Sequence, residues 1–310
     1  MPSNKANNTS RQIKSGRSRL RRVREFIIES ILFLAAFSSV ATTFAIVSIL
    51  VIESIPFFRH VPLLNFLTDT QWTPLFDDAH YGIMPLMAGT LVTTGVALLV
   101  AIPLGTIIAI YLCEFAPHRV REIIKPFLEL LGAVPTVVFG YFALIFVTPI
   151  LQKLIPALPG FNMLSAGLVM GIMIVPYIAS VSEDAMHAVP KHILEGSYAM
   201  GATRFQTAVR VIIPSAFSGI AAAYILGISR AIGETMIVAI AAGQQPNLTL
   251  NPMEPAATIS AYIVQVSLGD LPHGSIGYQT IFVAGLSLML ITLIFNILGY
   301  FLAKRFREVY

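Results

Sequence analysis

Apolar residues occur along this chain in long runs that contain no aspartate, glutamate, lysine or arginine. The runs cover residues 30–52, 79–113, 130–152, 154–182, 211–229, 235–253 and 271–303. An α-helix needs about 20 apolar residues to cross the roughly 30 Å hydrocarbon core of a bilayer. The alternating segments of about ten residues that a transmembrane β-barrel needs do not occur in the sequence. The pattern therefore predicts membrane-spanning helices.

The fifth crossing requires two runs to be joined across a charged pair. Only Arg230-Ala-Ile-Gly-Glu234 separates the run 211–229 from the run 235–253, so we predict one helix over 216–243 that contains both charges. The predicted fold class is all-α: a polytopic membrane protein with six transmembrane helices, near residues 26–52, 84–113, 127–151, 163–185, 216–243 and 279–303.

Composition excludes a soluble protein. Hydrophobic residues make up 56% of the 310 residues and charged residues 12%, about half of the roughly 25% that is usual in soluble domains. So few charges cannot cover a water-exposed surface, and most of the chain must face lipid or other apolar helices. Cys113 is the only cysteine, which excludes a disulfide scaffold within the chain.

Lysine and arginine are distributed unequally among the loops. Of the 20, 17 lie in four segments, which are residues 1–25, 114–126, 186–215 and 304–310. Because basic residues are enriched in cytoplasmic loops, we expect these segments, and therefore both termini, in the cytoplasm. The opposite side holds only Arg59 and Lys153, in agreement with six crossings.

The runs and loops also predict the organisation of the chain. The predicted parts are a disordered basic tail (1–25), a first transmembrane helix (26–52), a periplasmic loop (53–83), a five-helix core (84–303) with a second outside loop (244–278), and a cytoplasmic C-terminus (304–310). The tail is too polar to pack, and we expect it to orient the first helix and to contact anionic membrane lipids. Nucleic acid is not an expected partner, because no aromatic residue or motif accompanies the charge.

The loop 186–215 has the pattern of a short helix, a turn and a second segment. Gly201 allows the turn a positive φ, and Pro214 ends or bends the second segment. The spacing resembles the EAA loop of ABC importer permeases, E-A-A-x3-G-x9-I-x-L-P. The matching positions are Glu195-Gly196-Ser197, Gly201, Val211, Ile213 and Pro214, with Gly-Ser in place of Ala-Ala and with Val and Ile in place of Ile and Leu.

This resemblance implies that the loop inserts into a cleft of an ATPase subunit and transmits its closure. Ala199, Ala202 and Phe205 offer a small apolar surface for such a contact, and Glu195 and Arg204 flank it. The chain has no G-x-x-x-x-G-K-[ST] and no Gly-Lys pair at all, so it lacks the phosphate cradle of a P-loop. We therefore expect neither a cofactor nor catalytic residues in this chain, with ATP bound and hydrolysed by a partner.

Arg230 and Glu234 are four residues apart, which on one helix places them on the same face. A charge at the centre of the bilayer costs about 2.5–3.5 kcal/mol on insertion scales. The pair therefore either fixes helix packing or lines a translocation pathway. In the second case the planar donors of arginine suit phosphate oxygens, and Glu234 would hold Arg230 and weaken its grip on the anion. Thr136, after Pro135, either donates to the anion or serves helix packing.

Several further segments resemble the phosphate-specific branch of ABC importer permeases; they are residues 111–117, 130–140, 229–236 and 304–310. Residues 125–131, the Gly-Glu-Thr-Met of 233–236 and the terminus 304–310 resemble PstC-type subunits more than PstA-type ones. The resemblance covers about residues 80–310 and implies a type I importer bundle in the bacterial inner membrane. It implies a heterodimer with a PstA-like permease, two PstB-like ATPases, and a periplasmic or lipid-anchored phosphate-binding protein, PstS. Arg230 and Glu234 match the residues of the R-A-x-G-E-T motif that this family uses in phosphate passage.

Other functions stay open at this point. The chain is alternatively a permease for another oxyanion, such as sulfate or molybdate, or the PstA-type paralogue. An intramembrane enzyme would need a nucleophile or a metal-ligand set, and the sequence has the pattern of neither. A secondary transporter would often show inverted repeats, and none is found.

Overall fold

The computed structural model describes residues 4–74, 76, 78–269, 272 and 274–305, with side chains from residue 21 onward except Val23. These residues form helices and one isolated β-bridge, between Trp72 and Tyr81, which confirms the all-α class. The chain divides into two compact units, Met1–Ile52 and Glu53–Tyr310. The predicted C-terminal segment 304–310 lies outside the described residues from 306 onward.

The first unit consists of the N-terminal part of helix α1 (Asn4–His60). Here the structure differs from the predicted disordered tail, because the helix already begins at Asn4. The eight lysines and arginines of this segment have good helix propensity, and a helix extends at little cost from turns that are already formed. Arg21 and Glu25 also form an ion pair of 2.9 Å one turn apart. The part of α1 from Arg24 onward is long and apolar enough to cross a membrane.

The second unit contains the remaining helices. They are α2 (Leu63–Thr68), α3 (Met84–Ile110), α4 (His118–Ala133), α5 (Thr136–Phe142), α6 (Thr148–Leu154), α7 (Met163–His187), α8 (Lys191–Ala199), α9 (Arg204–Thr207), α10 (Ile213–Ser215), α11 (Phe217–Ile232), α12 (Met236–Ala241), α13 (Ile259–Ser267) and α14 (Ile276–Arg305). Single π-helical turns extend α3 to Phe115 and connect α5 to α6 and α9 to α10. Both predicted outside loops thus contain helices: the end of α1 and α2 in 53–83, and α13 in 244–278.

The third predicted crossing, 127–151, is wrong at its beginning. Residues up to Ala133 belong to α4, and the crossing runs from Thr136 to Leu154. Val134 and Pro135 between them are extended, with ψ angles of 131° and 133°. Proline restricts the preceding residue to extended conformations, so Pro135 ends α4 and starts a new helix. The predicted cytoplasmic loop 114–126 is correspondingly helical from His118.

The fifth predicted crossing, 216–243, is also wrong as a single helix. The helix α11 ends at Ile232, the chain passes through Gly233–Thr235 without helical structure, and α12 begins at Met236. At its other end, α11 meets the segment Arg204–Ser215 at an angle of 73°. The described residues therefore contain five helices that are long and apolar enough to cross a membrane, or six if this bent pair is one crossing.

The helices α3 and α7 form the most extensive helix pair of the second unit. A Cβ added to Gly167 of α7 would lie 2.7 Å from Cβ of Val96, and one added to Gly171 would lie 2.7 Å from the carbonyl oxygen of Ala97. No side chain fits at these distances, so the two glycines allow the helix backbones to come into contact. Both helices contribute buried residues to the main apolar core.

Candidate functional site

Arg230 lies in the last turn of α11, at the break of the fifth crossing. Its guanidinium carbon lies 4.3 Å from the centroid of the Tyr177 ring of α7, which is a cation–π contact. Its buried Nε atom has no hydrogen-bond partner within the described part of the chain. The C-terminal end of a helix favours a positive charge. The fold thus holds a guanidinium at this break by its ring contact and leaves one buried donor unused.

Glu234 is 8% exposed and lies in the break itself, after Gly233. Its Oε1 accepts hydrogen bonds from the backbone amides of Met236 and Ile237, at 3.1 and 3.3 Å. The carboxylate therefore caps the first turn of α12. The predicted arrangement of Arg230 and Glu234 on one helix face is wrong, because the helix ends between them, and no ion pair joins them in the described structure. The part of Glu234 in a pathway stays a prediction.

Thr136 is the first residue of α5 and is half-buried. A Cβ at Gly140, one turn later, would lie 3.1 Å from the carbonyl oxygen of Met236, so α5 and α12 approach closely. On the other side of Pro135, the carbonyl oxygen of Gly132 accepts a hydrogen bond of 3.2 Å from the hydroxyl of Tyr177. Tyr177 thus contacts Gly132, three residues before Pro135, through its hydroxyl and Arg230 through its ring, whereas donation from Thr136 to an anion stays a prediction.

A cluster of charges that the sequence analysis missed joins α4 to the end of α7. Glu183 of α7 is completely buried; its Oε2 accepts a 2.7 Å hydrogen bond from Nζ of Lys125, and its Oε1 accepts one from Arg121. Nε2 of His187 lies 3.3 Å from the same Oε1. The hydrogen bond to Glu183 raises the pKa of Lys125. Glu183 directly follows a charge-free run, and the sequence analysis assigned it no partner, although the spacing of Arg121 and Lys125 is a signal for a shared one.

A cavity of about 380 Å³ lies between α4 and α7, bounded at one end by these charges. Its lining includes Lys125, Leu128 and Gly132 of α4, and Tyr177, Ser180 and Glu183 of α7. The two helices are therefore in contact at the Glu183 cluster and at the bond between Tyr177 and Gly132, with open space between these two points.

The loop 186–215 has the predicted helix, turn and second helix. Helix α8 contains Glu195, Gly196 and Ser197 and is followed by Gly201, which has a φ of +82°. The hydroxyls of Ser197 and Thr207 lie 2.9 Å apart, and the Ala202 amide donates to the carbonyl of Ser197 at 3.2 Å. The segment is thus a compact protrusion built around the glycine.

The second helix of this protrusion begins with a capping box. The side chain of Thr203 accepts from the amide of Gln206, and the Gln206 side chain accepts from the amide of Thr203. Arg204 at its start is exposed, and Pro214 lies in α10. Phe205 is 67% exposed, as the predicted docking surface requires, and Met200, which the sequence analysis passed over, is 88% exposed.

The protrusion contacts the end of α3 through one side-chain hydrogen bond. The hydroxyl of Tyr198 in α8 donates to Glu114, in the π-helical turn at the end of α3. Burial, together with this hydrogen bond, raises the pKa of Tyr198 to about 12. Glu114 thus fixes α8 to a helix of the main core, a contact that residues 84 positions apart in sequence do not reveal.

Comparison with known proteins identifies similar chains. The family described as "Binding-protein-dependent transport system inner membrane component" matches residues 101–308. "Probable ABC transporter permease protein YqgH" of Bacillus subtilis (strain 168) is 35% identical over 242 residues, which are 78% of this chain and 78% of that protein. "Phosphate transport system permease protein PstC" of Mesorhizobium japonicum is 34% identical over 264 residues, covering 77% of this chain and 78% of that protein.

Solved structures share the architecture. A chain of the bacterial alginate ABC transporter, in complex with an alginate pentasaccharide-bound periplasmic protein, has a TM-score of 0.64 at 17% identity and covers 92% of this chain and 96% of its own length. A chain of the inward-facing MetNI methionine ABC transporter has a TM-score of 0.54 at 18% identity, covering 73% of this chain and 95% of that chain. These similarities concern the fold and confirm an ABC importer permease bundle.

Proposed function

Since this chain belongs to the family of binding-protein-dependent transport system inner membrane components, we propose that it forms part of the pathway by which an ATP-driven importer takes up inorganic phosphate. As a member of that family it is a multi-pass membrane translocation component of an ABC importer, not an enzyme. It works with an ATPase and a periplasmic binding protein. The proposed partners are a PstA-like permease, two PstB-like ATPases and a PstS-like phosphate-binding protein.

The geometry of Arg230 is the observation that carries this proposal. An arginine inside a membrane is costly, and the ring of Tyr177, 4.3 Å away, offsets part of that cost without occupying its hydrogen-bond donors. No carboxylate pairs with Arg230 among the described residues, and its buried Nε is unpartnered. A guanidinium in this condition suits the bidentate binding of a phosphate oxygen pair.

The names of the relatives support phosphate as the transported anion. The Mesorhizobium relative is described as a phosphate transport permease, and so is the relative from Haemophilus influenzae, which is 34% identical over 218 residues. Both are named PstC, which favours the PstC type over the PstA type. Ligand selectivity resides largely in a separate binding protein, so the assignment needs a direct uptake measurement.

The protrusion around Gly201 is the proposed contact with the ATPase. Its exposed Met200 and Phe205 offer apolar area, and exposed Glu195 and Arg204 offer polar contacts at its rim. We place this end of the bundle in the cytoplasm, where the ATP is. This agrees with the excess of lysine and arginine in the segments expected on that side.

The central experiment replaces Arg230 with Gln and measures the uptake of radiolabelled phosphate by cells whose own subunit is deleted. We expect uptake to be lost while the variant still assembles with its partners, because the substitution removes the charge and keeps the polar side chain. Lys153→Gln, at an exposed basic residue, is the matched control and keeps uptake. Wild-type uptake with Arg230→Gln contradicts the pathway role.

Competition by other anions tests the substrate. Excess unlabelled phosphate should suppress the uptake, whereas sulfate and molybdate should not. Suppression by sulfate or molybdate alone contradicts phosphate as the substrate, and leaves the permease assignment intact.

A further inference from the structure

Helix α4 is attached to the bundle in an unusual way. None of its sixteen residues is buried, and apolar side chains such as Ile123 and Phe127 are 60% and 65% exposed. Extended residues flank it on both sides, Ala116 and Pro117 before it and Val134 and Pro135 after it. Proline fixes its own φ and keeps the preceding residue extended. The helix, which contains Pro126, therefore runs between two corners without an apolar face packed into the core.

Charge contacts hold the first half of this segment. Arg121 and Lys125 both bind the carboxylate of Glu183, which is 0% exposed, while their own side chains are 31% and 32% exposed. Lys125 also lies 3.1 Å from Asp184, whose side chain is 66% exposed. A buried carboxylate requires partners for its charge. The two cations reach water, so they are stable without the carboxylate. The attachment therefore depends on Glu183 more than on any one cation.

The second half of α4 is held by Tyr177. Its hydroxyl donates to the carbonyl of Gly132 at 3.2 Å, and its ring carries the guanidinium of Arg230. Between the two attachments lies the cavity of about 380 Å³, so α4 has room to approach α7 or to separate from it. A shift of α4 at Glu183 thus acts, through one continuous helix, on the neighbour of Arg230.

We infer that Glu183 is a positioning residue for transport: it latches α4 to α7 and so sets the position of Tyr177 and Arg230. The groups that face its carboxylate are Arg121 and Lys125 from α4, and His187 from its own helix. The inference rests on the proposed function, because it assigns Arg230 to the pathway. Glu183 would thus influence transport from a position near the end of α7, next to the loop that leads to α8.

The first test compares Glu183→Gln with Asp184→Asn in the assembled transporter, reconstituted with its ATPase and binding protein. Both changes remove one carboxylate that contacts Lys125, but only the first breaks the buried contact. We expect Glu183→Gln to lower the phosphate transported per ATP hydrolysed by roughly 5- to 150-fold, the range typical of coupling between sites, while ATP hydrolysis continues. Asp184→Asn should leave this ratio unchanged. Equal ratios in both variants overturn the inference.

Lys125→Gln keeps the test decisive if Glu183→Gln does not accumulate in the membrane. Arg121 still pairs with the buried carboxylate in this variant, so folding is preserved and the latch is weakened. We expect an intermediate loss of transport per ATP. Wild-type transport per ATP in Lys125→Gln contradicts the latch.

A labelling experiment measures the latch without transport. Leu128→Cys, introduced together with Cys113→Ser, places one thiol in the lining of the cavity. We expect Glu183→Gln to increase the rate of maleimide labelling of the assembled transporter, and Asp184→Asn to leave it unchanged. Unchanged labelling in both overturns the latch. If labelling responds but Arg230→Gln transports normally, the latch stands and the proposed pathway fails.

Discussion

Arg230 and Tyr177 form a cation–π contact between the broken fifth crossing and α7, with 4.3 Å between the guanidinium carbon and the ring centroid. The two residues belong to α11 and α7, and Tyr177 also reaches Gly132 of α4. The side chain of Tyr177 therefore contacts both the charge that we assign to the pathway and helix α4.

The two functions of Tyr177 can be separated by substitution. Tyr177→Phe keeps the ring beside Arg230 and removes the hydrogen bond to Gly132, whereas Tyr177→Leu removes the ring as well. A cation–π contact contributes about 0.5–2 kcal/mol, so we expect phosphate uptake to fall more with Leu than with Phe. Initial uptake rates, corrected for the amount of transporter in the membrane, provide the measurement. Equal rates for both variants would show that the ring does not support Arg230.

Glu234 should contribute to stability as the cap of α12. Glu234→Ala removes the acceptor for the amides of Met236 and Ile237, and loss of a cap costs about 0.5–2 kcal/mol. Glu234→Gln keeps an oxygen acceptor and should be closer to wild type. The thermal unfolding midpoint of the assembled transporter in detergent tests this order. A fall in uptake of the Gln variant at unchanged stability would instead assign the charge to anion passage.

Gly201 and Gly196 offer a matched pair within the protrusion. A Cβ at either position meets open space, but only Gly201 has a positive φ, of +82°. We expect Gly201→Ala to destabilise the turn by about 1–2 kcal/mol and to lower ATPase activity stimulated by the loaded binding protein. Gly196→Ala, inside α8, should be neutral or stabilising. Equal effects would mean that the turn geometry does not matter for ATPase contact.

His80 should make the segment 69–82 sensitive to pH. Its Nδ1 lies 3.0 Å from Oδ2 of Asp69, and this hydrogen bond raises the pKa of His80. A raised pKa means that the contact stabilises the fold fully below the ordinary histidine value of about 6.5, and that this contribution is lost as the pH rises through the raised pKa. Burial acts to raise the pKa of Asp69, but hydrogen bonds from His80 and Gln71 lower the pKa of that carboxyl overall.

Hydrogen exchange provides the measurement for His80. The amides of Thr73 and Gly82, which donate to the carbonyls of His80 and Gln71, should lose protection as the pH rises from about 6 to about 8.5, through the raised pKa, after correction for intrinsic exchange. His80→Gln should abolish this dependence. His60→Gln is the control, because the His60 ring forms its hydrogen bond within its own helix, with the carbonyl of Pro56. A persistent pH effect in His80→Gln refutes the assignment.

The sequence predicted those features that follow from runs and spacing. The crossing 163–185 agrees with α7 to within two residues, because its charge-free run is long enough for one crossing. The protrusion around Gly201 followed from a glycine and a proline at fixed distances. Local chemistry determined both.

Features that depend on distant contacts were not predictable. Two side chains form hydrogen bonds with backbone groups at the break around Gly233. The carboxylate of Glu234 caps α12, and the hydroxyl of Ser260 donates to the carbonyl of Glu234 at 2.6 Å. The sequence of the run gives no sign of either contact. Likewise, Glu183 lies 58 and 62 positions away from Lys125 and Arg121, so the sequence does not show that these cations pair with its buried carboxylate.

The backbone contact of α3 and α7 at Gly167 and Gly171 has a consequence for the transport cycle. Helices joined so closely cannot slide or tilt against each other without collision of main-chain atoms. Spin labels placed on these two helices should therefore report one constant separation whether nucleotide is absent, bound or hydrolysed. We expect rearrangement at the corners around Pro117 and Pro135 and at the interruption at Gly233. The α3–α7 pair is then the stationary reference against which the movement of the other segments can be measured.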